Sequence, residues 1–118
     1  MQARESRVVE RSYEDICELQ QCAKIIREQI GIANLMAVGA REFKFMDTYN
    51  WEQELARGLT FKVNAGVKRQ WMEVELKGDD TYTVALWKTT KKGNILLEIE
   101  SDVYCEQLGS IVYHMVNK

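Results

Sequence analysis

The chain has 118 residues, the length of one ordinary domain, and 46% hydrophobic with 29% charged content is typical of a globular protein. A net charge of −2 and a pI near 5.5 argue against the strongly basic surface of a dedicated duplex DNA binder. The chain has an odd number of cysteines, no signal peptide and no apolar run near the ~20 residues of a membrane span, so we expect a cytoplasmic protein without disulfides.

The first part of the chain predicts a charged lead-in and one amphipathic helix. Residues 1–11 show no sustained apolar period, so we expect a frayed segment there and a single domain over residues 12–118. Ser12 suits the N-cap of the helix, and Gly31 stands where a left-handed C-cap belongs. Its apolar face consists of Ile16, Leu19, Ala23, Ile26 and Ile30. Core packing is the expected use of this face, and a helical dimer seam is the alternative.

A change of period follows the helix. The apolar run at 33–38 predicts a buried strand, Gly39 a bulge or bend, and residues 41–45 the continuation of that strand. Residues 46–58 give mixed signals, so we expect a loop there, with or without one turn of helix.

Four alternating runs predict an antiparallel sheet with one covered face, joined by short hairpin turns. The covered positions are Leu59, Phe61, Val63, Met72, Val74, Leu76, Tyr82, Val84, Leu86, Ile95, Leu97 and Ile99. Ser101 or Asp102 then caps a last helix. The apolar face of that helix consists of Tyr104, Leu108, Ile111, Val112 and Met115. The predicted fold class is α+β: an N-terminal helix, a four- to five-stranded antiparallel sheet and a C-terminal helix in a two-layer sandwich.

No residue pattern points to catalysis, a metal or a cofactor. His114 lacks a nucleophile evident in the sequence, and Cys105 has carboxylates close on both sides. Asp79 and Asp80 lie in a turn without the further oxygen ligands of a calcium site. Phosphate-loop, zinc and dinucleotide signatures are absent from the sequence. We therefore expect no catalytic residues, no metal and no cofactor.

The uncovered face of the predicted sheet is the candidate interaction surface. The alternation places on it Trp71, Glu73, Glu75, Trp87, Leu96, Glu98 and Glu100. Four acids beside Lys62 and Lys77 repel phosphate, which favours a protein partner with a basic surface. The large apolar side chains of this face also offer a seam for a homodimer.

A single-stranded nucleic acid is the alternative ligand, held at the rim of the sheet. The candidate residues are Lys68, Arg69, Trp87, Lys88, Lys91 and Lys92. Lysine and arginine attract the phosphates, and an indole ring offers a surface on which a base stacks.

The stretch REQIGIANLMAVGAREF resembles the pattern E-Q-L-G-G-N-x-F-x-x-M-T-G-A-K-N-F, which opens a group of small uncharacterised proteins from phages and prophages. The similarity continues in the same order through LTFKVN, MEVELKGDDTYTVALWK and LEIESDVYCEQLGSIVYHMV, and it covers about residues 27–116. Ile32 stands where the pattern has a second glycine, and Met36 and Ala37 replace a bulkier pair. The resemblance implies a mobile-element origin and expression in a bacterial cytoplasm, and it brings no catalytic residues.

Small phage accessory proteins of this kind commonly bind something that the host owns. The expected function is therefore a non-enzymatic interaction protein that modulates or inhibits a host protein machine, with an anti-CRISPR-like inhibitor of host defence as one form. A single-stranded nucleic-acid-binding accessory protein is the alternative. A virion structural or assembly component is the second alternative.

Overall fold

A layer of helices and one sheet make up the part of the chain that the structure describes. The computed structural model covers residues 13–46, 57–64 and 69–117. The elements in chain order are α1 (Tyr13–Ile30), α2 (Ile32–Ala37), β1 (Arg41–Phe45), β2 (Arg57–Val63), β3 (Gln70–Leu76), β4 (Tyr82–Thr90), β5 (Gly93–Val103), a 3₁₀ turn (Cys105–Gln107) and α3 (Leu108–Val116). The predicted lead-in at 1–11, the Ser12 cap, the 47–56 connection and Lys68 lie outside the described residues.

The strands form an antiparallel meander in the order β1-β2-β3-β4-β5, so each strand pairs with its neighbour in sequence. Tight turns make this order possible. The Lys77 amide donates to the Thr81 carbonyl at 2.8 Å between β3 and β4, and Thr90 pairs with Gly93 between β4 and β5. The predicted α+β fold, with a helix before and after an antiparallel sheet, is confirmed.

The apolar face of α1 lies on the sheet. Leu19 is buried, and Ala23, Ile26 and Ile30 lie in one core with Leu59, Phe61, Val63, Met72, Val74, Tyr82, Val84 and Leu86. Leu76, also predicted to be covered, is partly buried against this core. Burying a large aliphatic side chain contributes ~1.5–3 kcal/mol, so this contact accounts for much of the helix's stability. Core packing is therefore confirmed for these four α1 residues, which are not free to act as a helical dimer seam. The side chain of Ile16 lies outside the described residues.

Residues 32–37 form a helix, so the predicted buried strand at 33–38 is wrong. Gly31 ends α1 with a φ of +89°, and a new helix starts at once. Asn34 Nδ2 donates to the Ile30 carbonyl at 2.9 Å and holds the junction. Leu35 is buried, whereas Ile32 and Met36 are 76% and 75% exposed, which is the period of a helix. A short apolar run alone does not separate a strand from a helix.

The C-terminal helix starts later than the sequence predicts. Ser101 and Asp102 belong to β5 and do not cap a helix. Tyr104 is 58% exposed, and its amide donates to Gln107 Oε1 at 3.2 Å, which closes a 3₁₀ turn ahead of α3. The buried face of α3 consists of Leu108, Val112 and Met115, with Ile111 packed beside it. The predicted apolar face of this helix is therefore wrong at Tyr104 and confirmed at its other four residues.

Candidate functional site

The sheet face opposite α1 and α3, here called the open face, is not covered by any described helix. Directly opposed residues of neighbouring strands lie on the same face, so the strand register identifies its members. On β2 to β5 these are Thr60, Lys62, Trp71, Glu73, Glu75, Thr83, Ala85, Trp87, Leu96 and Ile99. Arg41 and Lys44 of β1 extend the same face beyond β2.

A pair of stacked indoles forms the centre of the open face. Trp71 of β3 opposes Trp87 of β4, with ring centroids 5.6 Å apart and ring planes at 11°. Leu96 opposes Trp87 from β5, and Ile99 opposes Ala85 one row further along. We call Trp71, Ala85, Trp87, Leu96 and Ile99 the tryptophan cluster. It brings together the three apolar residues that the sequence placed on this face.

The Trp87 indole nitrogen is buried and has no hydrogen-bond acceptor among the described residues. The ring is therefore positioned by its stacking on Trp71 rather than by a bond from its own N–H.

The placement of Glu98 and Glu100 on the open face is wrong. Glu98 opposes Leu86 and Glu100 opposes Val84, and both of these β4 residues are core residues on the helix-covered side. The two carboxylates therefore lie at the edge of the opposite face. Of the four acids predicted for the open face, Glu73 and Glu75 lie there.

An irregularity in β5 explains this reversal. The pairing with β4 passes from Leu96 to Glu98, so Leu97 is an extra residue without a direct partner. One extra residue inverts the inward–outward alternation beyond it. Ile99, predicted to be covered, consequently lies on the open face, and Ile95 and Leu97 are 50% and 45% exposed rather than buried.

The open face carries charges of both signs. Lys77 Nζ lies 3.9 Å from a Glu75 carboxylate oxygen, and Lys62 Nζ lies 3.1 Å from a Glu42 carboxylate oxygen. The predicted excess of four acids over two bases is therefore not present. Two expectations rested on that excess of acids: that the open face repels phosphate, and that it prefers a basic partner. Both lose their support.

Charge is segregated along the strands instead. The end where β2 and β4 finish, here called the basic end, carries Arg41, Lys62, Arg69, Lys88, Lys91 and Lys92, with Glu42 bound to Lys62. The other end, here called the acidic end, carries Glu75, Asp79, Asp80, Glu100, Asp102 and Glu106, with Arg57 and Lys77 among them. The tryptophan pair lies nearer the basic end, because Trp71 opposes Lys62.

The alternative nucleic-acid residues that the structure describes all lie at the basic end, but not on one face. Lys88 opposes Ile95 on the helix-covered face, whereas Trp87 lies on the open face. Arg69, Lys88, Lys91 and Lys92 are exposed there, and the Arg69 carbonyl accepts a bond from the Thr89 amide at 2.8 Å. The sequence-based set omitted Lys62, which shares the open face with Trp71. The inward–outward alternation of β2 in the sequence already places Lys62 on the uncovered face.

Among the described residues, three titratable groups have shifted pKa values, and none of the three belongs to a reactive cluster. Burial raises the pKa of the Cys22 thiol, and burial likewise raises that of the Tyr82 hydroxyl, which donates to Gln29 Oε1 at 2.6 Å. Hydrogen bonds from Thr81 lower the pKa of the Asp79 carboxyl. Within the described ranges, no three His, Cys, Asp or Glu side chains are grouped to hold a metal ion.

A second exposed apolar site lies at α2, where a shallow groove of about 630 Å³ runs between α1, α2 and β1. The Arg27 guanidinium lies 3.9 Å from the centre of the Phe43 ring at its floor. The highly exposed Ile32 and Met36 form its rim. Sequence reasoning missed this groove because it assigned the α2 segment to a strand. No described helix is long and apolar enough to cross a membrane.

Comparison with known proteins finds no match among family models, curated proteins or solved structures. The resemblance to phage and prophage proteins therefore stays a prediction.

Proposed function

We propose that this chain is a non-enzymatic interaction protein that acts in a bacterial cytoplasm by binding, and thereby modulating or inhibiting, a host protein machine. A CRISPR-type defence complex is one candidate target, in line with the phage-like sequence pattern. The observation that carries the proposal is the tryptophan cluster on the open face.

The cluster has the composition of a binding hot spot. Tryptophan is enriched among interface residues whose truncation costs ~2 kcal/mol or more, and such residues sit centrally with polar neighbours around them. Here the stacked Trp71 and Trp87 are flanked by Lys62 on one side and Glu73 in the next row. A pre-stacked pair also loses little rotamer freedom on binding, which favours affinity.

The test compares two truncations in pull-downs from bacterial hosts. Trp71→Ala removes half of the stacked pair without touching β5, and Met36→Ala removes an apolar side chain that is 75% exposed on α2. We expect the wild type and Met36→Ala to capture the same complex and Trp71→Ala to lose it. With the captured complex purified, Trp71→Ala should weaken binding by ~30-fold, the equivalent of ~2 kcal/mol.

Equal capture by wild type and Trp71→Ala would contradict a role for the open face. Capture of nothing above background across several hosts would count against the function itself. Circular dichroism on each variant verifies that a lost interaction is not a lost fold.

A second candidate, binding of single-stranded nucleic acid, is supported by a separate observation: the stacked indoles lie beside the basic end. Bases stack on aromatic side chains while lysine and arginine contact phosphates. A fluorescence titration with a short oligonucleotide at two salt concentrations tests it. Binding that weakens steeply with salt, and that Arg69→Glu with Lys88→Glu abolishes, supports this candidate. No quenching at low salt removes it.

A further inference from the structure

The two edges of the sheet differ in how they are protected against pairing with another chain. β1 has five residues and charged side chains at Arg41, Glu42 and Lys44, which are usual features of a blunted edge. β5 has eleven residues, and its outer side pairs with no other strand in the described chain. Both edge strands have register shifts, so length and side-chain type distinguish the two edges.

The side chains of β5 are unusually apolar for a free edge. Ile95, Leu96, Leu97 and Ile99 are consecutive or nearly so, and they are 50%, 42%, 45% and 54% exposed. Exposed edges normally carry lysine or proline at such positions, because a long apolar edge invites association. The middle of β5 therefore has the character of an interface.

The charges of the same hairpin indicate which strand fits. Lys91 and Lys92 precede the apolar stretch at the basic end, and Glu100 and Asp102 follow it at the acidic end. A second β5 that runs antiparallel brings its acids beside these lysines and its lysines beside these acids. The strand is thus complementary to its own reversed copy.

The register shift at Leu97 is compatible with this pairing. A twofold axis between Leu96 and Leu97 aligns Gly93–Ile95 of one copy with Glu98–Glu100 of the other, and both stretches pair regularly with their own β4. Ile95 and Glu98 then oppose each other, and both lie on the helix side of the sheet. Both faces therefore continue across the junction, with leucines at its centre and opposite charges at its ends.

We propose that β5 is a self-association edge, and that two copies of this chain pair antiparallel through β5 into one continuous sheet. This inference is independent of the proposed function. Its surface is the outer edge of β5, which adjoins the open face at Leu96 and Ile99.

The test uses charge reversal, measured by light scattering at roughly 100 μM, where a micromolar interface is populated. We expect a wild-type dimer. Lys91→Glu with Lys92→Glu sets like charges against each other in both symmetric contacts and should raise the dimer dissociation constant at least ~10-fold. Glu100→Lys with Asp102→Asn should do the same, and asparagine tolerates the φ of +57° at position 102.

Mixing the two charge-reversed variants is the decisive step, since each then meets a complementary partner. We expect the mixture to form heterodimers with a dissociation constant near that of the wild type, although each variant alone dimerises at least ~10-fold more weakly. Ile32→Lys with Met36→Lys, a change of exposed apolar residues away from the edge, should leave the dimer intact. A monomeric wild type, a dimer that either reversal leaves unchanged, or a mixture without heterodimers would each overturn the proposal.

Discussion

Replacing Gly109 with alanine should strain the junction of the three helices. Gly109 lies in the first turn of α3, and a β-carbon built there falls 2.6 Å from the Ile30 carbonyl oxygen and 2.6 Å from Asn34 Nδ2. Carbon–oxygen contacts lie at ~3.3–3.6 Å, so α3 has to move outward by roughly 0.7 Å or the other helices have to yield. The Ile30 oxygen belongs to a helix backbone, which yields little.

The expected cost has two parts. Overpacking of this kind costs ~1–3 kcal/mol. The Asn34–Ile30 hydrogen bond of 2.9 Å occupies the same gap, and its loss adds ~1 kcal/mol. A total of ~2–4 kcal/mol is a large part of the 5–15 kcal/mol typical of a domain and corresponds to a fall in Tm on the order of 10 °C.

The matched control is Gly78→Ala in the β3–β4 turn, where the added β-carbon meets no heavy atom within 4 Å. We expect that variant to be neutral or stabilised by ~0.4–1 kcal/mol, because only the unfolded chain loses freedom. Gly93→Ala has equal space but a φ of +122°, so it isolates backbone strain from steric contact. Thermal and urea unfolding compare the three. A Gly109→Ala protein as stable as Gly78→Ala would refute the close packing of α3 on α1.

The remaining predictions concern single side chains. Trp87→Phe removes a buried N–H that has no acceptor among the described residues, and it should change the free energy of unfolding by no more than ~1 kcal/mol; a loss above ~2 kcal/mol would mean that the N–H has a partner. A thiol reagent should modify the exposed Cys17 before Cys22, whose pKa burial raises; mass spectrometry of early time points showing the reverse order would contradict it. Hydrogen bonds from Thr81 lower the pKa of Asp79 in the folded protein. The ionised Asp79 therefore stabilises the fold above the ordinary aspartate pKa, and this stabilisation is lost as pH falls through the lowered pKa of the folded state. Asp79→Asn should therefore lose less stability on acidification than the wild type, and identical urea midpoints at each pH would argue against this.

The faces of β2, β3 and β4 follow from the sequence because alternate positions of each strand carry aliphatic or aromatic residues that share one covered side. Phe61, Met72 and Val84 are buried as expected. The predicted faces of the β5 residues are wrong for a local reason. Ile95, Leu96 and Leu97 are three large apolar residues in succession, so the sequence does not show which of them point to the covered face. The extra residue at Leu97 then reverses the inward–outward alternation of the residues that follow. No composition rule locates such a bulge, since the pairing with β4 decides it.

The α2 segment shows a different limit. Its five apolar residues satisfy a strand and a helix equally, and the choice depends on what surrounds them. Gly31 allows the chain to turn sharply after α1, and Asn34 then bonds back to the last turn of that helix. The polar Asn34 inside an otherwise apolar run was the available signal. It fits poorly in a buried strand and well at a helix junction.

The strand-edge pairing bears on which function the open face performs. A twofold axis perpendicular to the sheet sets both tryptophan clusters on the same side, so a dimer presents them together to one large partner, and binding gains from two attachments. The same pairing sets the Lys91–Lys92 end of each copy against the acids of the other, which removes part of the basic end from solvent. A nucleic acid bound at the basic end therefore competes with dimerisation, whereas a protein bound on the open face does not. Light scattering in the presence of an oligonucleotide separates the two: a shift towards monomers favours the nucleic-acid function, and a dimer that remains unchanged while it binds its protein target favours the open face.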